Sequence, residues 1–281
     1  THVLKHGEKI YALVEGGVSP VIMDSEMNFL EEEPFPAADN KRFTAHPKID
    51  SDTGEMHAVS YDFGEYVNGL GQVHYVTVDS NGKLIKDQII ETPSRPMVHD
   101  CAITKNYVLI FDLPVTFNLG RRDDDNNPIG GDYPVVWNDK HTSRVGLQNK
   151  KTDEIIWIEV NPGFLFHIVN SYEDDNGQVV LDFCRYERLF DFDNPLPMGQ
   201  KPFLTRWILD PKTKTCSEEM LDDRPMEFSR VHPDFDGKQH RFGYLLNDGR
   251  LNNYFKHDFE KSETIAHDFG ESCQAAEPVF I

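Results

Sequence analysis

Val73-His74-Tyr75-Val76-Thr77-Val78-Asp79-Ser80-Asn81-Gly82-Lys83-Leu84-Ile85-Lys86-Asp87-Gln88-Ile89-Ile90 reads as two strands joined by a tight turn. Val73 to Val78 alternates at the strand period. Asn81-Gly82 is the strongest short hairpin signal, because these two residues accept the positive φ that such turns demand. Leu84 to Ile90 then returns antiparallel to the first run. The unit is a meander, and the fold depends on whether the chain repeats it.

It does so in both directions. Upstream, His2-Val3-Leu4 and Ile10 to Val14 flank a turn at His6-Gly7-Glu8-Lys9, and Met56 to Tyr61 follows the turn Asp50-Ser51-Asp52-Thr53-Gly54-Glu55. Downstream, Tyr107 to Leu113, Ser143 to Leu147, Ile155 to Val160, Leu165 to Ser171, Val179 to Tyr186 and Leu204 to Leu209 are strand candidates bounded by Gly, Asn, Asp or Pro. Arg241 to Leu246, Asn252 to His257 and Thr264 to Phe269 continue the rhythm. No apolar period of 3.6 residues is sustained, so helix is scarce. Short strands with turn signals about every 8 to 12 residues indicate an all-β sandwich, barrel or propeller. In 281 residues there is room for several blades of about 40 to 50 residues each, which favours a propeller. No clear repeat fixes the blade count from pattern alone.

The formal net charge of -20 excludes nucleic acid as a natural partner and disfavours anionic lipid, since both would repel the chain. Cys101, Cys184, Cys216 and Cys273 form no CxxC pair, so neither a zinc knuckle nor a disulfide framework is expected, and reduced thiols in a cytoplasmic protein fit best. No apolar run of about 18 residues and no signal peptide stand out. Glu31-Glu32-Glu33 is expected in a solvated loop. The run Asp123-Asp124-Asp125 lacks the ligand spacing and central glycine of a calcium loop and is expected at the surface.

Nine of the twelve histidines (His2, His6, His57, His74, His141, His232, His240, His257 and His267) lie in turns or polar segments and are expected at the surface. His46, His99 and His167 differ, each standing at the edge of an apolar strand. Were they to converge, three neutral imidazoles without thiolates would suit iron, copper or zinc. Each ring would then need an acceptor for its other N–H. Glu15, Glu227 and Glu277, flanked by apolar or loop-closing residues, are the candidate acceptors. Spacing alone leaves a hydrogen-bonded core role open for each histidine, and a loop-start role open for Glu15.

Five segments, in order and spacing and across the whole chain, resemble the signatures of the carotenoid cleavage oxygenases, in particular their bacterial carotenoid and apocarotenoid branch. These are Phe43-Thr44-Ala45-His46-Pro47-Lys48, Val98-His99-Asp100-Cys101-Ala102-Ile103-Thr104, Phe164-Leu165-Phe166-His167-Ile168-Val169-Asn170, Glu227-Phe228-Ser229-Arg230-Val231 and Glu277-Pro278-Val279-Phe280. The resemblance implies a seven-bladed β-propeller with a non-haem iron(II) on its axis, held by four histidines. His46, His99 and His167 match the first three ligands. Glu15, Glu227 and Glu277 match the glutamates behind them, with Glu15 orienting His99 and Glu227 orienting His167. Thr1 falls where many bacterial members carry a threonine beside the open coordination position.

The family's fourth histidine lies beyond the position of Glu277, and its closing N-terminal blade lies before Thr1. Residues 1–281 are therefore expected to form one incomplete propeller domain, the central portion of a longer oxygenase, with weak iron binding and no turnover alone. The implied reaction splits a C=C bond of a carotenoid or apocarotenoid with dioxygen into two carbonyl products, without an organic cofactor. Stilbene-cleaving members tend to carry a lysine just before the first glutamate. Val14 stands there, which favours an apolar polyene. A stilbene-type cleaver and an inactive propeller scaffold are the rival readings. Peripheral membrane contact and oligomeric state stay open.

Overall fold

The computed structural model describes residues 2–16, 19–32, 43–61, 72–117, 134–191 and 200–280. Strands β1 (His2–His6), β2 (Lys9–Leu13), β3 (Val21–Met23) and β4 (Phe29–Glu32) form one antiparallel meander, and β5 (Lys48–Ile49), β6 (Met56–Tyr61), β7 (Val73–Val78) and β8 (Leu84–Ile90) form the next. In chain order follow β9 (Ala102–Ile103), β10 (Tyr107–Asp112), β11 (Val115–Phe117), β12 (Val135–Trp137), β13 (Arg144–Asn149) and β14 (Ile155–Glu159); the third sheet runs β14-β13-β10-β9, and β11 and β12 form a separate two-stranded ribbon between β10 and β13 in sequence. β15 (Phe164–Glu173), β16 (Val179–Tyr186), β17 (Phe203–Asp210) and β18 (Thr215–Arg230) make the fourth. The fifth adds β19 (Phe242–Asn247), β20 (Asn253–Asp258) and β21 (Glu263–Asp268) to the end of β18.

The hairpin that opened the reading forms as its residues dictate. Asp79 Oδ1 accepts from the N–H groups of Asn81 and Lys83 at 2.9 Å each, and Gly82 takes φ +82°. Glu31 and Glu32, expected in a loop, belong to β4. The largest departure is β18, where an acidic run containing Pro225 hid a strand. Thr215 to Pro225 pairs with β17, and Met226 to Arg230 pairs with β19. One strand thus ends one sheet and begins the next, and this places Glu227 at the inner start of the fifth sheet. No α-helix occurs among the described residues.

Successive sheets pack face to face, as the blades of a propeller do. Tyr11, Leu13 and Ile22 of the first meet Met56, Ala58, Val76 and Val78 of the second, while Val169, Cys184 and Leu204 of the fourth meet Met226, Leu245 and Phe255 of the fifth. Middle strands are therefore covered on both faces, and every residue of β6 and β7 is buried.

That double coverage corrects the histidine reading. His6, His57, His74, His141, His240 and His257 are buried, whereas His232 and His267 are exposed. A buried imidazole needs a partner, and these have one: His74 Nδ1 meets Asp87 Oδ1 at 2.8 Å, His57 Nδ1 meets the Tyr75 hydroxyl at 3.0 Å, and His257 Nδ1 meets Thr264 Oγ1 at 2.7 Å. A polar flanking sequence marked them as surface residues: for those within strands, such as His57 and His74, coverage on both faces leaves no apolar-polar alternation to reveal the burial, while His141 and His240 stand in connections between strands.

Candidate metal centre

Three histidine segments reach one point from three sheets. Pro47 biases His46 towards extended backbone, and the Thr44 hydroxyl accepts the His46 N–H at 3.1 Å, so the ring is set just before β5. His99 stands three residues before β9, and His167 lies within β15. One ring nitrogen from each of His46, His99 and His167 lies within 4.8 Å of the other two. The ring centroids are 4.6 Å apart for His46 and His99, 5.1 Å for His99 and His167, and 5.2 Å for His46 and His167.

Glutamates stand behind two of the rings. Glu15 Oε2 lies 2.6 Å from His99 Nδ1, off the line of a good hydrogen bond, and Glu15 Oε1 accepts from the Tyr61 hydroxyl at 2.6 Å. Glu227 Oε2 meets His167 Nδ1 at 2.5 Å and also accepts the N–H of Phe228, whose backbone takes the left-handed φ +53°. Glu277 is placed differently: its Oε1 lies 3.2 Å from Nε2 of His167, on the opposite side of that ring from Glu227, and its Oε2 accepts from Arg230 at 2.9 Å. Thr1 lies outside the described residues, as does the run Asp123 to Asp125.

Burial, reinforced by the neighbouring His99 and His167, holds the His46 imidazole well below its ordinary pKa. That ring is neutral and able to donate a lone pair. Burial also acts to lower His167, but Glu227 and Glu277 outweigh it and raise the pKa. The carboxylates thus favour a cation at this ring.

The residues fit a metal ion. Nδ1 of His46 and Nε2 of His99 are buried without a hydrogen-bond partner, a state that costs free energy unless another ligand satisfies it. An all-imidazole donor set backed by carboxylates is a familiar ligand environment for iron, copper or zinc.

Sequence reasoning missed several neighbours. Phe166 meets His99 edge-on with centroids 5.1 Å apart, and Phe228 lies 4.9 Å from His167. Arg230 and Tyr61 hold the glutamates, and a buried pair, Lys48 and Asp100, sits 2.9 Å apart between the histidine segments. Phe166, Phe228, Arg230, Lys48 and Asp100 all lie inside the five quoted motifs. A charge set against an apolar run, as in Asp100-Cys101-Ala102-Ile103, was the available signal.

Meanders packed face to face around converging imidazoles define a β-propeller with a candidate histidine metal centre. Residues 1–281 match the retinal pigment epithelial membrane protein family throughout, and the chain belongs to this family, that of the carotenoid cleavage oxygenases. It is 33% identical to a carotenoid cleavage oxygenase of Mycobacterium tuberculosis, over 88% of this chain and 56% of the relative. It is 26% identical to the apocarotenoid-15,15'-oxygenase of Synechocystis, over 100% of this chain and 60% of the relative.

Among solved structures, the Pseudomonas brassicacearum lignostilbene dioxygenase superposes with a TM-score of 0.83 at 26% identity, covering 100% of this chain and 62% of that one. The cobalt-substituted Synechocystis apocarotenoid oxygenase gives a TM-score of 0.78 at 24% identity, over 96% and 59%, a likeness of fold. The chain spans less than two thirds of the length of each of these relatives.

Proposed function

We propose that the protein containing residues 1–281 is a non-haem iron(II) dioxygenase that splits a C=C bond of a carotenoid or apocarotenoid into two carbonyl products. The convergence of His46, His99 and His167 within 4.8 Å, in a chain of this family, carries the reading. These three rings would hold the iron, with a fourth histidine supplied from outside residues 1–281. Bound there, iron(II) supplies the activation of dioxygen, and the redox chemistry belongs to the metal.

The chain's own residues do the rest. Glu227 fixes the tautomer and the plane of His167 through Nδ1, and Glu15 faces Nδ1 of His99 in the same sense. Phe166 and Phe228 put apolar rings against the histidines, which keeps water from that side and suits an apolar polyene.

The test is iron content and oxygen-dependent cleavage of an apocarotenal by the full-length protein. Stoichiometric iron and carbonyl products are expected, both lost in His99→Ala. Iron-free protein, or undiminished cleavage by His99→Ala, refutes the reading. The likeness to the lignostilbene dioxygenase supports a second reading, cleavage of a phenolic stilbene. Val14, in place of the lysine expected for a phenol, weighs for the polyene, and a parallel assay with a hydroxystilbene separates the two.

A further inference from the structure

Asp100 is buried between the three histidine segments, and each of its close partners adjoins one of them. Oδ1 receives Nζ of Lys48, two residues after His46, at 2.9 Å. The same oxygen accepts the N–H of Cys101, two residues after His99, at 2.7 Å. Oδ2 accepts the N–H of Ile168, the residue after His167, at 3.2 Å. The Cys101 thiol adds a longer contact, 3.7 Å to the carbonyl oxygen of His46. Lys48 and Asp100 are 7% and 3% exposed, so water cannot replace what either would lose.

A buried ion pair is a poor source of net stability, because desolvation of both ions offsets their attraction. Its use lies in geometry: a carboxylate offers several acceptor sites in one plane, and here they join segments from three separate sheets. We infer that Asp100 is a positioning residue, which holds the backbone of the three histidine segments in mutual register so that their ring nitrogens stay within metal-binding distance. It would act through the backbone of these segments and not as a ligand itself. The inference rests on the iron(II) reading for its purpose, though not for its geometry.

The test uses cobalt(II) alone, titrated into the metal-free, full-length protein well below its unfolding temperature, with the visible absorption of bound cobalt as readout. Asp100→Asn removes the charge that Lys48 needs while keeping the side chain's size. It should weaken cobalt binding about tenfold or more and alter the spectrum. Asp87→Asn is the control: Asp87 on β8 is paired to His74 of β7 at 2.8 Å, and neither strand pairs with any of the three histidine segments. It should lower thermal stability and leave cobalt affinity unchanged.

Amide exchange supplies the second readout. The segment holding Ile168 should exchange faster in Asp100→Asn and keep its protection in Lys48→Met, which frees the His46 segment alone. Should Asp100→Asn fail to fold, Lys48→Met carries the cobalt test, and several-fold weaker binding is expected. Wild-type affinity and spectrum in the variant that folds overturn the inference. If the wild-type protein takes up no cobalt, the metal reading fails instead, and the Asp100 inference is then decided by exchange, with unchanged protection at Ile168 in Asp100→Asn refuting it.

Discussion

Nδ1 of His167 and Oε2 of Glu227 stand 2.5 Å apart, and the same oxygen takes the N–H of Phe228. One carboxylate oxygen therefore sets both the imidazole and the strained backbone that follows it. Glu227→Gln keeps an acceptor for one of these donors and removes the negative charge that makes the ring a better ligand. Metal affinity should fall about 10- to 100-fold while the fold persists. Titration of metal-free protein with iron(II) or cobalt(II) measures the loss directly.

Stability should decline on acidification through two buried histidines that are not among the converging three. Burial pushes the His57 imidazole down from 6.5 to about 3, and that of His240 down to about 4. Below pH 6.5 the unfolded chain takes up protons that the folded chain refuses, so stability falls with pH until the folded values are reached. Each histidine contributes about 1.4 kcal/mol per pH unit within its window. Denaturant unfolding at several pH values between about 6 and 4 reads the slope. His57→Asn should make it shallower by one proton's worth, and an unchanged slope would assign the acid sensitivity elsewhere.

The strands and turns were legible because local chemistry writes them: Asn81-Gly82 announces its turn, and Val179 to Tyr186 forms β16 with the bounds its residues suggest. β18 was not legible. Its first half lies at the exposed outer edge of a sheet, where Glu218 and Glu219 are tolerated, and no local signal says that it crosses into the next sheet at Met226. Among the candidate site residues, the pairings of Glu15 with His99 and Glu227 with His167 came from family resemblance. Periodicity cannot report which distant segments meet. Glu277 shows the same limit, since no local feature places it against Nε2 of His167.

Val14 offers a direct test of substrate class. It is 36% exposed beside Glu15, whose two oxygens already face Tyr61 and His99. Val14→Lys would present a free ammonium where a phenolate oxygen could bind. A hydrogen bond to a charged group contributes about 1.5 to 3 kcal/mol, so kcat/KM for a hydroxystilbene should rise about tenfold or more. Cleavage of an apolar apocarotenal should fall. Equal responses of both substrates would show that this position does not discriminate.

Gly243 on β19 lies against β15, and its size governs how closely the two sheets approach. A Cβ at this position would sit 2.8 Å from Cγ1 of Val169 and 3.0 Å from Cε2 of Phe259, and Val169 is two residues from His167. Both neighbours are packed and have little room to yield, so Gly243→Ala should destabilise by about 1 to 3 kcal/mol. Gly177 provides the contrast: it takes φ +77° with nothing within 4 Å of a would-be Cβ, so Gly177→Ala suffers backbone strain alone, on the order of 1 kcal/mol. Urea midpoints give the two costs. Cobalt(II) affinity then separates them further, because displacement of Val169 is transmitted along β15 to His167, whereas strain in the exposed turn at Gly177 has no path to the ring. Weaker binding is expected in Gly243→Ala alone, and a loss shared by both variants would mean that the affinity follows global stability.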